Sequence, residues 1–198
     1  MAIPREPEDL SANDKSEGLR RDYTPAPQVT KAYLLGVLHD ATQRQNTFRV
    51  STKSFQFAKF LQIGIGNLNA KAWIYKEGKN RNLWIVEFSK KLLSNAQIKT
   101  GKDKIDYIRG YFDTEGGIAK SNSVRYYIYF AQKDKKDLLQ VKKYLEEFGI
   151  SCGKLHNPSK QVDPDYWRFY VSVKSVYDFA RIVNSAHPVK RKYLRMKI

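Results

Sequence analysis

Cysteine and histidine are scarce in this sequence, and each shortage excludes a class of protein. Cys152 is the single cysteine, so an intrachain disulfide and a cysteine zinc site are both impossible. The three histidines lie far apart in the sequence and give no support for a histidine zinc site. Nucleotide-binding loops and nucleophile triads are also missing. We expect an intracellular location, in the cytoplasm, the nucleoid or an organelle matrix, and no secretion.

Long apolar runs are missing as well. No run approaches the roughly 18 residues of a membrane-spanning helix, and the first ten residues lack the apolar region of a secretory signal. Hydrophobic residues make up 41% and aromatic residues 13% of the 198, which is ample for a folded core. We expect a soluble protein with one sizeable core or two small fused ones, and no membrane partner.

Acidic residues are outnumbered, 20 against 36 basic ones, which gives a formal net charge of +16. Such an excess indicates a polyanionic partner, most often nucleic acid, with a solvated lysine-rich surface as the alternative. Residues 1–28 hold four basic and six acidic residues, a net charge of −2, so residues 29–198 carry +18. The positive excess therefore belongs to the part of the chain that we expect to fold.

Composition and pattern divide the chain into three parts. Residues 1–28 contain four of the seven prolines and few aliphatic residues, which predicts a mobile N-terminal arm. Two segments with interior glycines organise the rest: AYLLGVLHDAT at 32–42 and KDKIDYIRGYFDTEGG at 102–117. We divide the folded part into a first half, 29–99, and a second half, 100–198, with a basic C-terminal tail.

The order of predicted elements is the same in both halves. Each glycine-bearing helix is followed by a strand, a helix, two strands and a further helix, and such internal duplication predicts a pseudo-twofold α+β protein. Thr30 and Ser54 are predicted N-caps. The predicted strands are 47–52, 71–76, 82–88, 123–131, 151–156 and 166–173, and the predicted helices after the glycine-bearing ones are 54–67, 89–94, 135–148 and 175–184.

The sequence IRGYFDTEGG resembles the motif of the LAGLIDADG homing endonucleases, and AYLLGVLHDAT is similar to the first motif of the single-chain members. The resemblance implies an α+β fold with two pseudo-twofold-related αββαββα-type halves and saddle-shaped antiparallel sheets. It implies a monomeric, site-specific endonuclease of intron homing, which hydrolyses double-stranded DNA at a long non-palindromic target. It also implies magnesium, or manganese, as the cofactor.

The interior glycines have a physical meaning of their own. Glycine inside a helix costs about 1 kcal/mol relative to alanine, a cost that close helix packing can offset. Gly36 and Gly110 would let the two helices pack side by side, which would bring together the acids at their C-terminal ends. Two carboxylates there would form an oxygen-rich site suited to Mg²⁺.

The first motif departs from the family pattern by one residue. Five positions after Gly110 stands Glu115, but five after Gly36 stands Ala41, with Asp40 one position earlier. Either the helix ends differently and Asp40 supplies the ligand, or Ala41 has replaced the acid. We expect Asp40 and Glu115 to be the catalytic metal ligands. If Ala41 occupies the position, the chain would nick one strand or bind without cutting.

Further site residues follow from the resemblance. Lys53 and Lys133 follow equivalent strands, where the family places basic or amide groups near the scissile phosphates, and Gln132 precedes the second. These three are predicted catalytic residues, and a solvated lysine is the alternative at each lysine position. Asp113 is predicted to be a cap or polar contact. His39 is predicted either to support the neighbouring metal ligand Asp40 or to be a partner of the helix dipole.

The strands supply the predicted DNA-binding surface, because alternate residues of a strand face opposite sides of the sheet. Arginine and tyrosine on the outward side suit base edges, and the lysines around them suit phosphates. The predicted DNA contacts are Arg49, Lys71, Lys76, Arg81, Arg125, Tyr127, Tyr129, Arg168 and Tyr170. Two other functions remain open: an RNA maturase that binds intron RNA, and a DNA-binding protein that does not cut.

Overall fold

The computed structural model describes residues 27–78, 81–119 and 126–195. The prediction of a mobile arm therefore lies almost wholly outside the described residues, as does the predicted DNA contact at Arg125. The first half consists of α1 (Lys31–Val37), a 3₁₀ turn (Leu38–Asp40), β1 (Ala41–Gln43), β2 (Thr47–Thr52), α2 (Phe55–Asn67), β3 (Ala72–Lys76), β4 (Trp84–Ser89) and a 3₁₀ turn (Lys90–Leu93).

The second half repeats this order with one strand fewer. It consists of α3 (Gly101–Glu115), β5 (Gly116–Ile118), β6 (Ile128–Gln132), α4 (Lys135–Glu147), β7 (Trp167–Tyr170), a 3₁₀ turn (Val173–Ser175), α5 (Val176–Ile182) and α6 (Pro188–Arg195). A short connection, residues 94–100, joins the halves. In the described part of the chain, no helix is both long enough and apolar enough to span a bilayer.

Each half contains one antiparallel sheet, which confirms the predicted α+β class. The first sheet has the order β1-β2-β4-β3, and the second has the order β5-β6-β7. The three-residue strands β1 and β5 directly follow the two glycine-bearing helices, where the residue pattern alone predicted no strand. They pair with β2 and β6, and they place the end of each helix against the edge of a sheet.

The predicted strand at 151–156 is wrong. The chain there forms two isolated bridges, Cys152 with Val171 and His156 with Arg168, whose registers differ by one residue. An extra residue between the two bridges is a bulge, and a bulge interrupts the ladder of hydrogen bonds that a regular strand needs. The second sheet therefore has three regular strands.

The predicted inward faces are confirmed. Val50, Ile128, Phe130 and Phe169 are fully buried, and each has outward-facing neighbours along its strand. On β4, where either face could have been the inner one, Val86 pairs with Val50, so this face is the inner one. Helix α2 covers the first sheet, and α4 and α5 cover the second, so each half has its own apolar core.

Local caps explain where the helices begin. The Thr30 and Ser54 side chains accept hydrogen bonds from the third residue of α1 and α2, as predicted. Helix α3 has a full capping box, because Thr100 accepts from the Asp103 amide and the Asp103 carboxylate accepts from the Thr100 amide. The caps at Thr30 and Thr100 thus fix where α1 and α3, the two helices that carry the candidate site, begin.

The end of the chain bridges the two halves. Leu194 of α6 belongs to the core of the second half, whereas Ala186, just before α6, packs into the core of the first. The His187 ring also contacts the Phe57 ring of α2, with centroids 4.9 Å apart. The two halves therefore share the segment that precedes α6.

Candidate active site at the helix crossing

Helices α1 and α3 cross at their glycines, as the sequence predicts. A Cβ atom at Gly36 would lie 2.1 Å from the Tyr107 carbonyl oxygen, and one at Gly110 would lie 2.0 Å from the Tyr33 carbonyl oxygen. Both distances are far below van der Waals contact, so only glycine allows the backbones to approach this closely. The crossing fixes how the two C-terminal ends lie relative to each other.

Hydrogen bonds between the helices fix their rotation. The Tyr33 hydroxyl donates to the Asp113 carboxylate at 2.7 Å, and the Thr30 hydroxyl donates to Asp106 at 3.1 Å. Asp113 also accepts from the Ser185 hydroxyl and from the Ala186 amide. Burial raises the pKa of Asp113, and these donors act against that rise. Asp113 is thus the polar contact that the sequence analysis predicted.

The two helices end differently, and the difference compensates for the missing residue. Helix α3 remains α-helical to Glu115, whereas α1 tightens into the 3₁₀ turn that ends at Asp40. A 3₁₀ turn rises about 2.0 Å per residue and an α-helix about 1.5 Å, so both acids lie about 7.5 Å beyond their glycine. On the same ideal geometry, the rotation from the glycine to the acid, measured around each helix's own axis, differs by about 40° between the two helices. Ala41 is the first residue of β1, where it pairs with Val50.

The two acids influence each other's charge. Glu115 is half-buried, and burial together with the Asp40 charge raises the pKa of Glu115 to about 7. Burial also raises the pKa of Asp40. The Lys190 ammonium acts in the opposite direction on both carboxyls. A cation between two such partly desolvated carboxylates would reduce their repulsion.

Gln132 joins the ends of the two helices. Its side-chain amide donates to a Glu115 carboxylate oxygen at 3.0 Å and to the His39 carbonyl oxygen at 3.4 Å, and its side-chain oxygen accepts from the Lys133 amide at 2.7 Å. Gln132, which the family resemblance predicts as a site residue, therefore lies beside Glu115. It orients Glu115 and holds the residue next to Asp40.

His39 attaches the first half to the second. One ring nitrogen lies 2.7 Å from the Tyr107 hydroxyl on α3, and the other lies 2.9 Å from the Asp137 carboxylate on α4. Burial lowers the pKa of His39, and the Asp137 charge acts against this shift. His39 is thus a packed contact between the halves, rather than only a partner of the helix dipole.

A cavity of about 510 Å³ opens beside Asp40. Its lining brings together the ends of four segments of the chain: Asp40, Ser51, Thr52, Lys53, Ser54, Phe57, Asp113, Thr114, His187, Val189 and Lys190. The predicted site residues Asp40 and Lys53 are therefore neighbours in space. Lys190 was missed by sequence reasoning, and its only signal was its place in a basic tail.

Lys133 lies differently from Lys53. Its ammonium group lies 3.3 Å from the Asp163 carboxylate, in a side chain that is 69% exposed. Lys133 is therefore tied to the loop before β7 rather than to the acids. The two lysines that follow equivalent strands have different surroundings.

The outward face of the first sheet carries a polar cluster around Glu87. This carboxylate accepts from the Thr47 hydroxyl at 2.6 Å, from the Arg49 guanidinium at 2.9 Å and from the Tyr75 hydroxyl at 2.6 Å. Together these hydrogen bonds lower the pKa of Glu87. Arg49 is thus held flat against its neighbours, with its guanidinium 5.8 Å from the centre of the Tyr75 ring.

The other predicted contacts of the first half lie around this face. Lys71 is exposed just before β3, and Arg81 is exposed and near Glu77. Lys76 pairs with Trp84 and alternates with the outward residues Trp73 and Tyr75. The register therefore turns Lys76 toward the α2 side of the sheet, away from Arg49, and a DNA contact at Lys76 stays a prediction.

The outward face of the second sheet carries tyrosines around Arg168. The Arg168 guanidinium lies 4.7 Å from the centre of the Tyr129 ring and donates to the hydroxyls of Tyr170 and Tyr166. Tyr127 contacts Tyr170, with ring centroids 5.6 Å apart. The four described residues predicted for this face, Tyr127, Tyr129, Arg168 and Tyr170, form one aromatic surface.

Comparison with known proteins agrees with this architecture. Residues 102–184 match the family described as LAGLIDADG-like domain. This match lies within the second half of the chain, which is similar to that family. The fold of the chain as a whole, over both halves, is similar to the homing endonuclease I-DmoI in complex with DNA and Mn, at 20% identity and a TM-score of 0.56, covering 78% of this chain and 95% of that one.

Two further structures share the LAGLIDADG fold. I-DmoI in complex with DNA and Ca is 19% identical with a TM-score of 0.60, covering 84% of this chain and 96% of that one. Full-length DUF199/WhiA from Thermatoga maritima is 15% identical with a TM-score of 0.63, covering 84% of this chain and 59% of that one. No sequence among curated proteins matches this chain. The LAGLIDADG resemblance and the fold class are thus confirmed.

The acids at the LAGLIDADG helix ends suit a divalent cation. Magnesium is commonly bound by one or two carboxylates, with water and substrate phosphates as the remaining ligands. Asp40 and Glu115 supply such a pair, and a cation would offset the burial and the Asp40 charge that together raise the pKa of Glu115. The described residues contain no group of three or more acidic, histidine or cysteine side chains that could form a protein-only metal site.

Proposed function

We propose that this protein is a site-specific, metal-dependent endonuclease of double-stranded DNA. The observation that carries the proposal is the pair of carboxyls, Asp40 and Glu115, at the ends of two helices that only their glycines allow to cross so closely. The two outward sheet faces, one on each half, would lie along the DNA. Because these faces differ, a monomer would recognise a long non-palindromic target.

Each site residue has a role in this proposal. Asp40 and Glu115 would hold Mg²⁺ or Mn²⁺, which when bound activates water and stabilises the leaving oxygen in phosphodiester hydrolysis. Gln132 fixes the Glu115 carboxylate, and Lys53 would donate to a phosphate that enters the cavity beside Asp40. Lys133 would do the same only after releasing Asp163.

The DNA contacts divide between base edges and phosphates. Arg49 and Arg168 stand at the centres of the two outward faces, where a guanidinium can bind the edge of guanine with two hydrogen bonds. Tyr127, Tyr129 and Tyr170 would contact bases or sugars beside Arg168. Lys71 and Arg81 would contact phosphates, and Lys76 is left out of the proposed contact surface because of its register.

One observation favours a second candidate, a protein that nicks one strand or binds without cutting. The first motif is one residue shorter than the second, and Asp40 leaves its helix in a direction that differs by about 40° from that of Glu115. Similarity to both I-DmoI and DUF199/WhiA does not separate these functions. Intron RNA as a partner has only the motif resemblance in its support.

The test begins with targets selected from a random double-stranded DNA library, by binding and by cleavage in Mg²⁺. Glu115→Gln and Asp40→Asn are then compared with Glu146→Gln, which makes the same chemical change on the exposed side of α4. We expect each site variant to lose about 100-fold or more in cleavage rate and to keep DNA binding, with the control unchanged.

The other outcomes each identify one candidate. Nicking of a single strand by the wild type, unchanged in Asp40→Asn, would indicate the second candidate with Ala41 in place of the acid. Tight binding without any cleavage in Mg²⁺ or Mn²⁺ would overturn the endonuclease. Preference for intron RNA over the selected DNA, with rescue of splicing, would indicate a maturase.

A further inference from the structure

Lys190 closes the end of the helix that carries Glu115. From the first turn of α6, its ammonium group donates to the carbonyl oxygens of Phe112 at 2.5 Å, Asp113 at 2.9 Å and Thr114 at 3.4 Å. The same group lies 5.2 Å from the centre of the Phe112 ring. One side chain of α6 thus contacts three consecutive residues of α3.

These three carbonyls belong to the last turn of α3, where the backbone oxygens lack partners within the helix or share one. Glu115 follows directly, and at Gly116 the backbone changes to the extended conformation of β5. A cation at this end also opposes the negative end of the helix dipole. Lys190 therefore holds the turn from which the Glu115 side chain leaves the helix.

The Lys190 charge acts on both acids. Lys190 lines the cavity with Asp40, and its ammonium acts against the rise that burial causes in the pKa of both Asp40 and Glu115. A fixed positive charge reduces the repulsion between the two carboxylates, and so helps them to stay close before a metal ion arrives.

The two motif helices are held at their ends by different groups. At the end of the first helix, the neutral amide of Gln132 donates to the His39 carbonyl oxygen. At the end of the second, the donor is the Lys190 ammonium from α6, an element that the described residues of the first half do not repeat. The pseudo-twofold arrangement is therefore chemically unequal at the point where the acids meet.

We propose that Lys190 is a positioning residue of the candidate site, which fixes the end of α3 and keeps Asp40 and Glu115 close enough to share one cation. The inference rests on the proposed function, since its consequence is for cleavage. It adds α6 to the site, a helix outside both motifs. Deleting the ammonium should slow the reaction because it loosens the end of α3, from which Glu115 leaves the helix.

The test compares Lys190→Met with Lys192→Met, which removes the same charge from the same helix at an exposed position. Lys190→Arg restores a cation with several donors, and Lys190→Gln replaces the methionine variant if that variant does not fold. Two readouts are used: amide hydrogen exchange of residues 113–118 in protein without DNA or metal, and single-turnover cleavage of the selected target with DNA affinity measured in Ca²⁺.

We expect Lys190→Met to speed exchange at 113–118 by about tenfold, with the amides of β2 unchanged. Its cleavage rate should fall by about 10- to 100-fold, as is usual when the support of a metal ligand is lost, with DNA affinity little changed. Lys190→Arg should recover most of the rate. Lys192→Met should behave like the wild type in both measurements.

The contrary outcomes are distinct. Equal behaviour of Lys190→Met and Lys192→Met would overturn the proposal, and so would faster exchange with an unchanged cleavage rate, because Lys190 would then be only a helix cap. A wild type that cuts no target overturns the proposed function on its own. In that case the exchange rates alone decide whether Lys190 holds the end of α3.

Discussion

At the scale of single residues, Asp40 and Glu115 are two like charges that the fold brings into one partly buried place. The protein tolerates them because Gln132 donates to Glu115 and because the Lys190 charge lies nearby. The residual cost is visible in the pKa of Glu115, which rises from 4.5 to about 7. That cost is a property of the protein without metal, and it can be measured without any knowledge of the DNA target.

Glu115→Gln should raise the stability of the metal-free protein at pH 8. Because the folded state binds the Glu115 proton more tightly than the unfolded state, stability falls as the pH rises from 4.5 to about 7. Glutamine keeps the acceptor for Gln132 but not the charge. We expect the melting temperature to be about 2 to 5 °C higher at pH 8, after allowance for solvent screening of a half-exposed group.

Thermal unfolding at pH 4 provides the control, because both states are then protonated and the two melting temperatures should agree. Millimolar Mg²⁺ at pH 8 should raise the melting temperature of the wild type more than that of Glu115→Gln. A variant that is less stable than the wild type at pH 8 would contradict the assigned pKa shift.

At the scale of elements, the pair of helices α1 and α3 is the joint of the molecule. Its contacts are backbone against backbone at the glycines and side chain against side chain where Tyr33 meets Asp113. His39 extends the joint to α4 through Asp137. The crossing is therefore rigid, and a rigid crossing is what keeps two acids from different halves in register.

Gly110→Ala should destabilise the protein by about 2 to 4 kcal/mol, because the new methyl group would overlap the Tyr33 carbonyl oxygen and push the helices apart. Urea unfolding at equilibrium measures the loss. Gly66→Ala is the matched control, since it lies within α2 with no atom within 4 Å of the added Cβ. We expect that variant to be neutral or slightly stabilised. Equal effects at the two glycines would contradict the close crossing.

Sequence reasoning found the helices and their caps because these signals are local. Thr30 and Ser54 cap as predicted, and the two interior glycines predict the crossing. Strands β1 and β5 have three residues each, too few for an alternating pattern, and the bulge between Cys152 and His156 depends on the partner strand. Short and interrupted strands are set by their neighbours in space, which periodicity cannot show.

The same distinction between local signals and contacts in space applies to the candidate site. Glu115 and Asp40 follow from motif spacing, Gln132 follows from the family resemblance, and the outward sets of β6 and β7 follow from alternation. Lys190 does not, because its partners are carbonyl oxygens 76 to 78 positions away in the chain. The face on which Lys76 lies could not be predicted, because an exposed lysine at a strand end fits either face until the register is known.

At the scale of the whole molecule, charge and shape act together. The chain has a formal net charge of +16. The outward faces of its two sheets carry arginine and tyrosine, with lysines around them. On the first sheet Arg49 is hydrogen-bonded to an acid, Glu87, whereas on the second Arg168 lies among tyrosines. The two halves would therefore contribute unequally to binding.

DNA affinity should depend steeply on salt. A protein that neutralises six to ten phosphates shows a slope of log association constant against log salt concentration of about −5 to −9. Fluorescence anisotropy across a series of KCl concentrations measures this slope. Lys71→Met should make it shallower by about one, and Lys143→Met, on the exposed side of α4, should leave it unchanged. A slope near zero would contradict a phosphate-binding surface.

The seven-residue connection at 94–100 has a consequence for how such a protein can change over time. In a symmetric dimer every substitution is made twice, so both arms must tolerate it at once. In this protein one chain holds two unequal halves, joined by a connection that spans at most about 25 Å. Under the proposed function, either half could acquire a new preference for a DNA sequence while the other half keeps the old preference.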